Sequence, residues 1–85
     1  MANIQHIAAR IFRHANAGRL PAGYALAMGA LVDAYDEDPD FHEWADAVPG
    51  SAVEKLMACM VRQGKWGDPV WLRDYVREAA RESAA

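Results

Sequence analysis

The chain of 85 residues has no threonine, and its valines and isoleucines are few. These β-branched residues favour strands because they pack well on a pleated surface. Alanine, in contrast, is spread along the whole chain, and it favours helix because it loses no side-chain entropy there. The composition therefore predicts an all-α protein, and the length predicts a single domain with one hydrophobic core.

Cysteine is nearly absent as well, because Cys59 is the one thiol and no disulfide can form within the chain. Small secreted domains usually need such cross-links, so we expect a reducing compartment, the cytoplasm. The longest apolar run, residues 22–32, is far shorter than the roughly 20 residues that span a bilayer. The first residues show no signal-peptide pattern. We therefore expect no membrane partner.

The residues of common catalytic and metal sites are also scarce. There are only two serines and three scattered histidines, and no glycine-rich phosphate loop is present. The alternating Asp36, Asp38 and Asp40 are spaced like the ligands of a calcium loop, but Phe41 stands where that loop needs glycine. We expect no enzyme, no metal, no cofactor and no small-molecule substrate.

Apolar residues recur at helical spacing in five segments, each bounded by residues that start or stop helices. Because every connection is short, the sequence predicts a compact orthogonal array of sequential neighbours. Ala25 and Gly29 are small and four residues apart, which predicts a close approach of another helix. The five predicted helices cover residues 4–17, 21–35, 39–48, 51–63 and 69–82.

Local signals mark the ends of these helices. Asn3, Asp38 and Asp68 are predicted N-caps, the last two followed by proline. The segment 51–54, Ser-Ala-Val-Glu, matches a capping box in which Ser51 and Glu54 each satisfy a backbone N–H. Gly18 and Gly64 are predicted to end the first and fourth helices in the left-handed conformation.

Charge is distributed very unevenly along the chain. No Lys or Arg lies between Leu20 and Val53, and all nine basic residues fall outside that stretch. Concentrated negative charge attracts basic partners and speeds their encounter, so we predict a docking surface for a basic protein. A simpler interpretation is that the acids only cap helices and favour helix dipoles. The predicted acidic edge contains Asp33, Asp36, Glu37, Asp38, Asp40, Glu43 and Asp46.

Trp66 differs from the other two tryptophans because it lies in a short Gly-Lys-Trp-Gly segment between two predicted helices. A tryptophan in such a loop can be an exposed anchor, and this residue type is enriched at binding hot spots. More often it folds back to close the core of a small domain. We include Trp66 in the predicted partner-binding surface and leave its exposure open.

These observations favour a non-enzymatic protein-binding module, a regulator or inhibitor whose partner is a basic, nucleic-acid-handling protein within a nucleoprotein complex. In size and charge alone, the chain is similar to phage-borne inhibitors of CRISPR-type machines. The alternative is a helix-turn-helix DNA-binding regulator that uses the basic face of the last two helices, and a third class is a self-assembling structural protein. That basic face comprises Arg62, Lys65, Arg73, Arg77 and Arg81.

Overall fold

The computed structural model describes residues 3–84, and their side chains as far as Glu82. This part of the chain contains five helices and no strand, which confirms the all-α prediction. No described helix has both the length and the apolar character needed to cross a membrane. The helices are α1 (Ile4–Asn16), α2 (Ala22–Glu37), α3 (Pro39–Ala47), α4 (Gly50–Gln63) and α5 (Pro69–Ala84).

Three predicted side-chain caps begin α1, α3 and α5. Asn3 Oδ1 accepts from the His6 amide at 3.0 Å. Asp38 Oδ1 accepts from the Asp40 and Phe41 amides at 3.0 and 3.3 Å, and Asp68 Oδ1 accepts from the Trp71 amide at 3.0 Å. Each bond satisfies an amide that the first turn of a helix leaves without an intrahelical partner.

Glycine ends α1 and α4 as predicted. Gly18 and Gly64 have φ of +75° and +65°, in the left-handed region. After α4, the Gly64 amide donates to Val61 and the Lys65 amide donates to Met60, at 3.2 and 2.9 Å. This paired arrangement satisfies the last carbonyls and turns the chain sharply into the segment that holds Trp66.

Two local predictions were wrong. The helix α4 begins at Gly50, so Ser51 already lies inside its first turn and makes no cap. Glu54 instead forms an ion pair with Arg10 of α1. The second concerns the close approach of another helix to α2, which was predicted at Ala25 and Gly29. A β-carbon on Gly29 would meet nothing within 4 Å, whereas one on Gly23 would lie 3.3 Å from Val61 Cγ1 of α4.

The helix α2 is central, because it packs against α1, α3 and α4, and α5 packs against α3. The connection between α2 and α3 is the single residue Asp38, so these two helices meet at a sharp corner. All five helices contribute to one buried cluster. It comprises Ile4, Ile7, Ala8, Ile11, Ala27, Met28, Leu31, Phe41, Ala45, Val53, Leu56, Met57, Met60, Leu72 and Val76.

Candidate functional site

The acidic edge surrounds the corner between α2 and α3. Three of its carboxylates belong to α2 and three to α3, and Asp38 joins the two helices. Asp38 and Asp46 are partly buried, and the other five residues are exposed. The structure therefore brings a run of charge in the sequence to one junction of the fold. The exposed members are Asp33, Asp36, Glu37, Asp40 and Glu43.

Asp46 is engaged within the protein. Its Oδ1 accepts a 2.6 Å hydrogen bond from the Tyr35 hydroxyl, and its Oδ2 lies 3.1 Å from His42 Nε2. The His42 ring stacks on Tyr35 with centroids 4.0 Å apart, and its Nδ1 donates to the Tyr35 carbonyl over 3.0 Å. Asp46 therefore joins α3 to α2.

The same contacts perturb Tyr35. The hydrogen bond to Asp46 raises the pKa of Tyr35 above its ordinary value of 10.0, with smaller contributions from burial and from the charges of Asp46 and Asp36. A phenolate beside a carboxylate would place two negative charges together, so the neutral phenol is favoured.

A groove lined by α2, the loop after α4 and the start of α5 contains Trp66. It has a volume of about 470 Å³, and Asp33, Glu37 and Asp38 lie on one side of it. The loop residues Lys65 and Trp66 lie on the other. We call it the Trp66 groove. The Trp66 side chain is 36% exposed, so it lies at the surface while remaining next to three carboxylates of the acidic edge.

A second groove runs between α3 and α5. It has a volume of about 660 Å³ and shares Asp38 and Arg73 with the Trp66 groove. We call it the α3–α5 groove. One wall carries acids of α3, the other carries arginines of α5, and aromatic and aliphatic side chains form the floor. The residues that define it are Asp40, Glu43, Phe41, Trp44, Val48, Val76, Arg73 and Arg77.

The position of Arg73 and Arg77 opposite acids of α3 was not predicted from the sequence. A local signal was present, because Arg73, Val76, Arg77 and Ala80 share one face of α5 at spacings of three and four residues. The sequence alone did not indicate which helix this face meets. Arg62 lies elsewhere, with Nη2 3.3 Å from Cys59 Sγ. Two arginines of the predicted basic face, Arg73 and Arg77, therefore line a groove together with carboxylates of α3.

Residues suited to metal binding or nucleophilic chemistry do not gather in the described part of the chain. No three His, Cys, Asp or Glu residues there are arranged to hold a metal ion. Cys59 is partly buried in the middle of α4. Nearby, burial raises the pKa of Tyr75, and contact with Cys59 adds to the shift.

Comparison with protein-family models, with curated proteins and with solved structures found no significant match. The acidic edge and its two grooves are therefore the features from which a function can be proposed.

Proposed function

We propose that this protein is a non-enzymatic binding module that docks its acidic edge on the basic surface of a protein partner. In this role it is a regulator or inhibitor that occupies a surface where the partner otherwise binds nucleic acid. Its lone thiol is compatible with the cytoplasm, where we expect it to act.

The position of two acids on α2 carries this proposal. Asp36 and Glu37 lie in the last turn of α2, which contains no basic residue. The C-terminal end of a helix has a partial negative charge, so acids there are unfavourable by about 0.3–1 kcal/mol each. Capping explains Asp38 and the positive end of the α3 dipole explains Asp40, whereas Asp36 and Glu37 belong to the last turn of α2. Binding to a basic partner is a reason for carboxylates that oppose the stability of their own helix.

The arrangement of the exposed acids suits electrostatic docking. The five exposed carboxylates follow one another around a one-residue corner, so they present negative charge on two helix ends at once. Such a field raises the association rate with a basic partner and is weakened by salt. Trp66 lies beside Asp33 and Glu37 and adds apolar contact area at the edge of this charge.

The proposal is tested by comparing two variants that each lose three negative charges. The first neutralises α2 (Asp33→Asn, Asp36→Asn, Glu37→Gln), and the control neutralises exposed acids of α5 (Asp74→Asn, Glu78→Gln, Glu82→Gln). Each is used as bait in a nuclease-treated host lysate at low and moderate salt, and bound protein and nucleic acid are identified.

We expect one basic protein to be retained at stoichiometric amounts by the wild type and the α5 control. It should be lost from the α2 variant and from all baits as salt rises. Circular dichroism of both variants verifies that a loss of binding is not caused by unfolding. Equal retention by the α2 variant would contradict the proposal. Recovery of nucleic acid without protein would instead favour DNA binding through Arg73, Arg77 and Arg81.

A further inference from the structure

The α3–α5 groove combines an apolar floor with charged walls of opposite sign. Phe41 and Val76 are 1% and 7% exposed, and Trp44 and Val48 are partly buried. Above them stand the exposed side chains of Asp40 and Glu43 on α3 and of Arg73 and Arg77 on α5. The groove is about 660 Å³ in volume.

The charged side chains of the two walls form no ion pair with each other. Among the described residues, ion pairs join Arg10 to Glu54 and Arg81 to Glu78, and His42 lies beside Asp46; none of these contacts crosses the groove. Carboxylates and guanidinium groups thus face the same apolar channel from opposite sides. A ligand complementary to the α3–α5 groove has apolar groups facing its floor, cationic groups facing α3 and anionic groups facing α5.

The side chains along each wall follow the repeat of a helix. Asp40, Glu43 and Ala47 on α3 are spaced like Arg73, Val76 and Ala80 on α5, so each wall is about two helical turns long. A helix whose apolar residues recur at three and four positions matches this length and repeat. Both walls are helices, so the groove offers no sheet edge to which a strand could be added.

We propose that the α3–α5 groove binds an amphipathic helix of the protein partner. The apolar stripe of that helix packs on Phe41, Trp44 and Val76. Its Lys or Arg residues lie along α3, and its Asp or Glu residues lie along α5. This inference rests on the proposed function, which gives the partner as a basic protein. It adds that the partner binds through a helix.

A second copy of the chain is a poorer occupant. The large exposed apolar side chains among the described residues are Leu26, Trp66 and Val70, which belong to α2, to the loop and to α5. They do not form a stripe on one helix that would fill the groove of another copy. The outer face of α5 alternates arginines with acids and supplies no such stripe either.

The test uses a designed helical peptide of about five turns. It has a leucine stripe with Lys along one flank and Glu along the other. Control peptides have the same composition with the stripe scrambled, or the same stripe with Glu on both flanks. Affinity is measured by isothermal titration calorimetry, and the binding face is located by amide chemical-shift changes.

Two variants block the groove without changing its charge. Ala47 and Ala80 are exposed alanines on opposite walls, so Ala47→Phe and Ala80→Phe each place a ring in the channel. Ala9→Phe, at an exposed position of α1, is the matched control. Circular dichroism of each variant verifies the fold, and the use of both walls ensures that one misfolded variant does not prevent the test.

We expect the mixed-flank peptide to shift the amides of α3 and α5 and to lose at least about tenfold in affinity in each blocked variant, with no loss in Ala9→Phe. The double variant Arg73→Glu/Arg77→Glu should bind the mixed-flank peptide more weakly and a peptide with Lys on both flanks more tightly. Equal affinity for striped and scrambled peptides, or unchanged affinity in both blocked variants, would overturn the groove proposal.

The two proposals fail separately. If the partner captured by the acidic edge is lost from the α2 variant but retained by both blocked variants, the proposed function is supported and the groove proposal is overturned. If the peptide binds the groove but the α2 variant retains every captured protein, the function of the acidic edge is contradicted while the groove remains a helix-binding site.

Discussion

At the scale of single residues, neighbouring carboxylates of the acidic edge have opposite effects on the fold. Asp38 Oδ1 accepts two backbone hydrogen bonds at the start of α3. Glu37, one residue earlier, lies in the last turn of α2, where a negative charge is unfavourable. Two acids adjacent in sequence therefore have opposite effects on stability, because Asp38 begins one helix and Glu37 ends another.

This difference predicts opposite changes in stability. Asp38→Ala should lower the free energy of unfolding by about 1 kcal/mol, because the cap is lost. Glu37→Gln should raise it by about 0.5 kcal/mol, because a charge is removed from the negative end of α2. Urea denaturation measures both, and Asp38→Asn is the control that keeps a capping oxygen. Destabilisation by Glu37→Gln would show that this carboxylate supports the fold.

The contact between Tyr35 and Asp46 predicts a change at alkaline pH. Because Asp46 raises the pKa of Tyr35, the folded state favours the neutral phenol. The stability from this contact is complete below the unfolded pKa of about 10 and is lost as pH rises through the higher folded pKa. In a spectrophotometric titration, Asp46→Asn should shift the Tyr35 transition to lower pH. The Tyr35→Phe difference spectrum identifies that transition among the three tyrosines.

At the scale of elements, two glycines in helical segments have different reasons to be glycine. Gly29 lies inside α2, with space around the position of a β-carbon. Gly64 ends α4 at a φ of +65°, where a β-carbon is strained although nothing surrounds it. The two positions therefore differ in backbone conformation, whereas both have room for a β-carbon.

The same substitution at these positions should have opposite effects. Gly29→Ala should stabilise the protein by about 0.5–1 kcal/mol, since alanine restricts the unfolded chain and favours helix. Gly64→Ala should destabilise it by about 1–2 kcal/mol, the cost of left-handed backbone for an L-residue. Thermal unfolding monitored by circular dichroism compares them. Loss of stability in Gly29→Ala would mean that another helix does approach α2 at this point.

At the scale of the whole molecule, stability depends on one small core to which all five helices contribute. Leu31 lies on the central helix α2 and is fully buried, whereas Leu26 on the same helix is 56% exposed. A chain of this size buries a smaller share of its surface than a larger domain does. Each core side chain therefore accounts for a large part of the total stability.

Replacing each of these two leucines with alanine should have different effects on stability, because Leu31 is buried and Leu26 is exposed. Leu31→Ala should lower the free energy of unfolding by about 3 kcal/mol, because it removes apolar contacts and leaves a cavity. Leu26→Ala should change it by less than about 0.5 kcal/mol. Chemical denaturation measures both values. Similar losses from the two variants would indicate that Leu26 is covered in solution, for example by a second molecule.

Local signals in the sequence specify the helices and most of their ends, because each signal acts over a few residues. Asn3, Asp38 and Asp68 bond to amides two or three positions away, and Gly64 needs only its own backbone conformation. The exception is Ser51, because the N-cap of α4 is Pro49, two residues before the predicted one. The sequence also predicted the composition of the acidic edge, since its members lie close together along the chain.

The residues that the acidic edge faces depend on tertiary packing, and local signals in the sequence do not specify them. Asp40 and Arg73 line the same groove although they are far apart in the chain, and this follows from the packing of α5 against α3. The half-exposed position of Trp66 beside Asp33 likewise depends on the turn that Gly64 makes after α4. Helical periodicity specifies which residues share a face, but packing of the shared core specifies which faces meet.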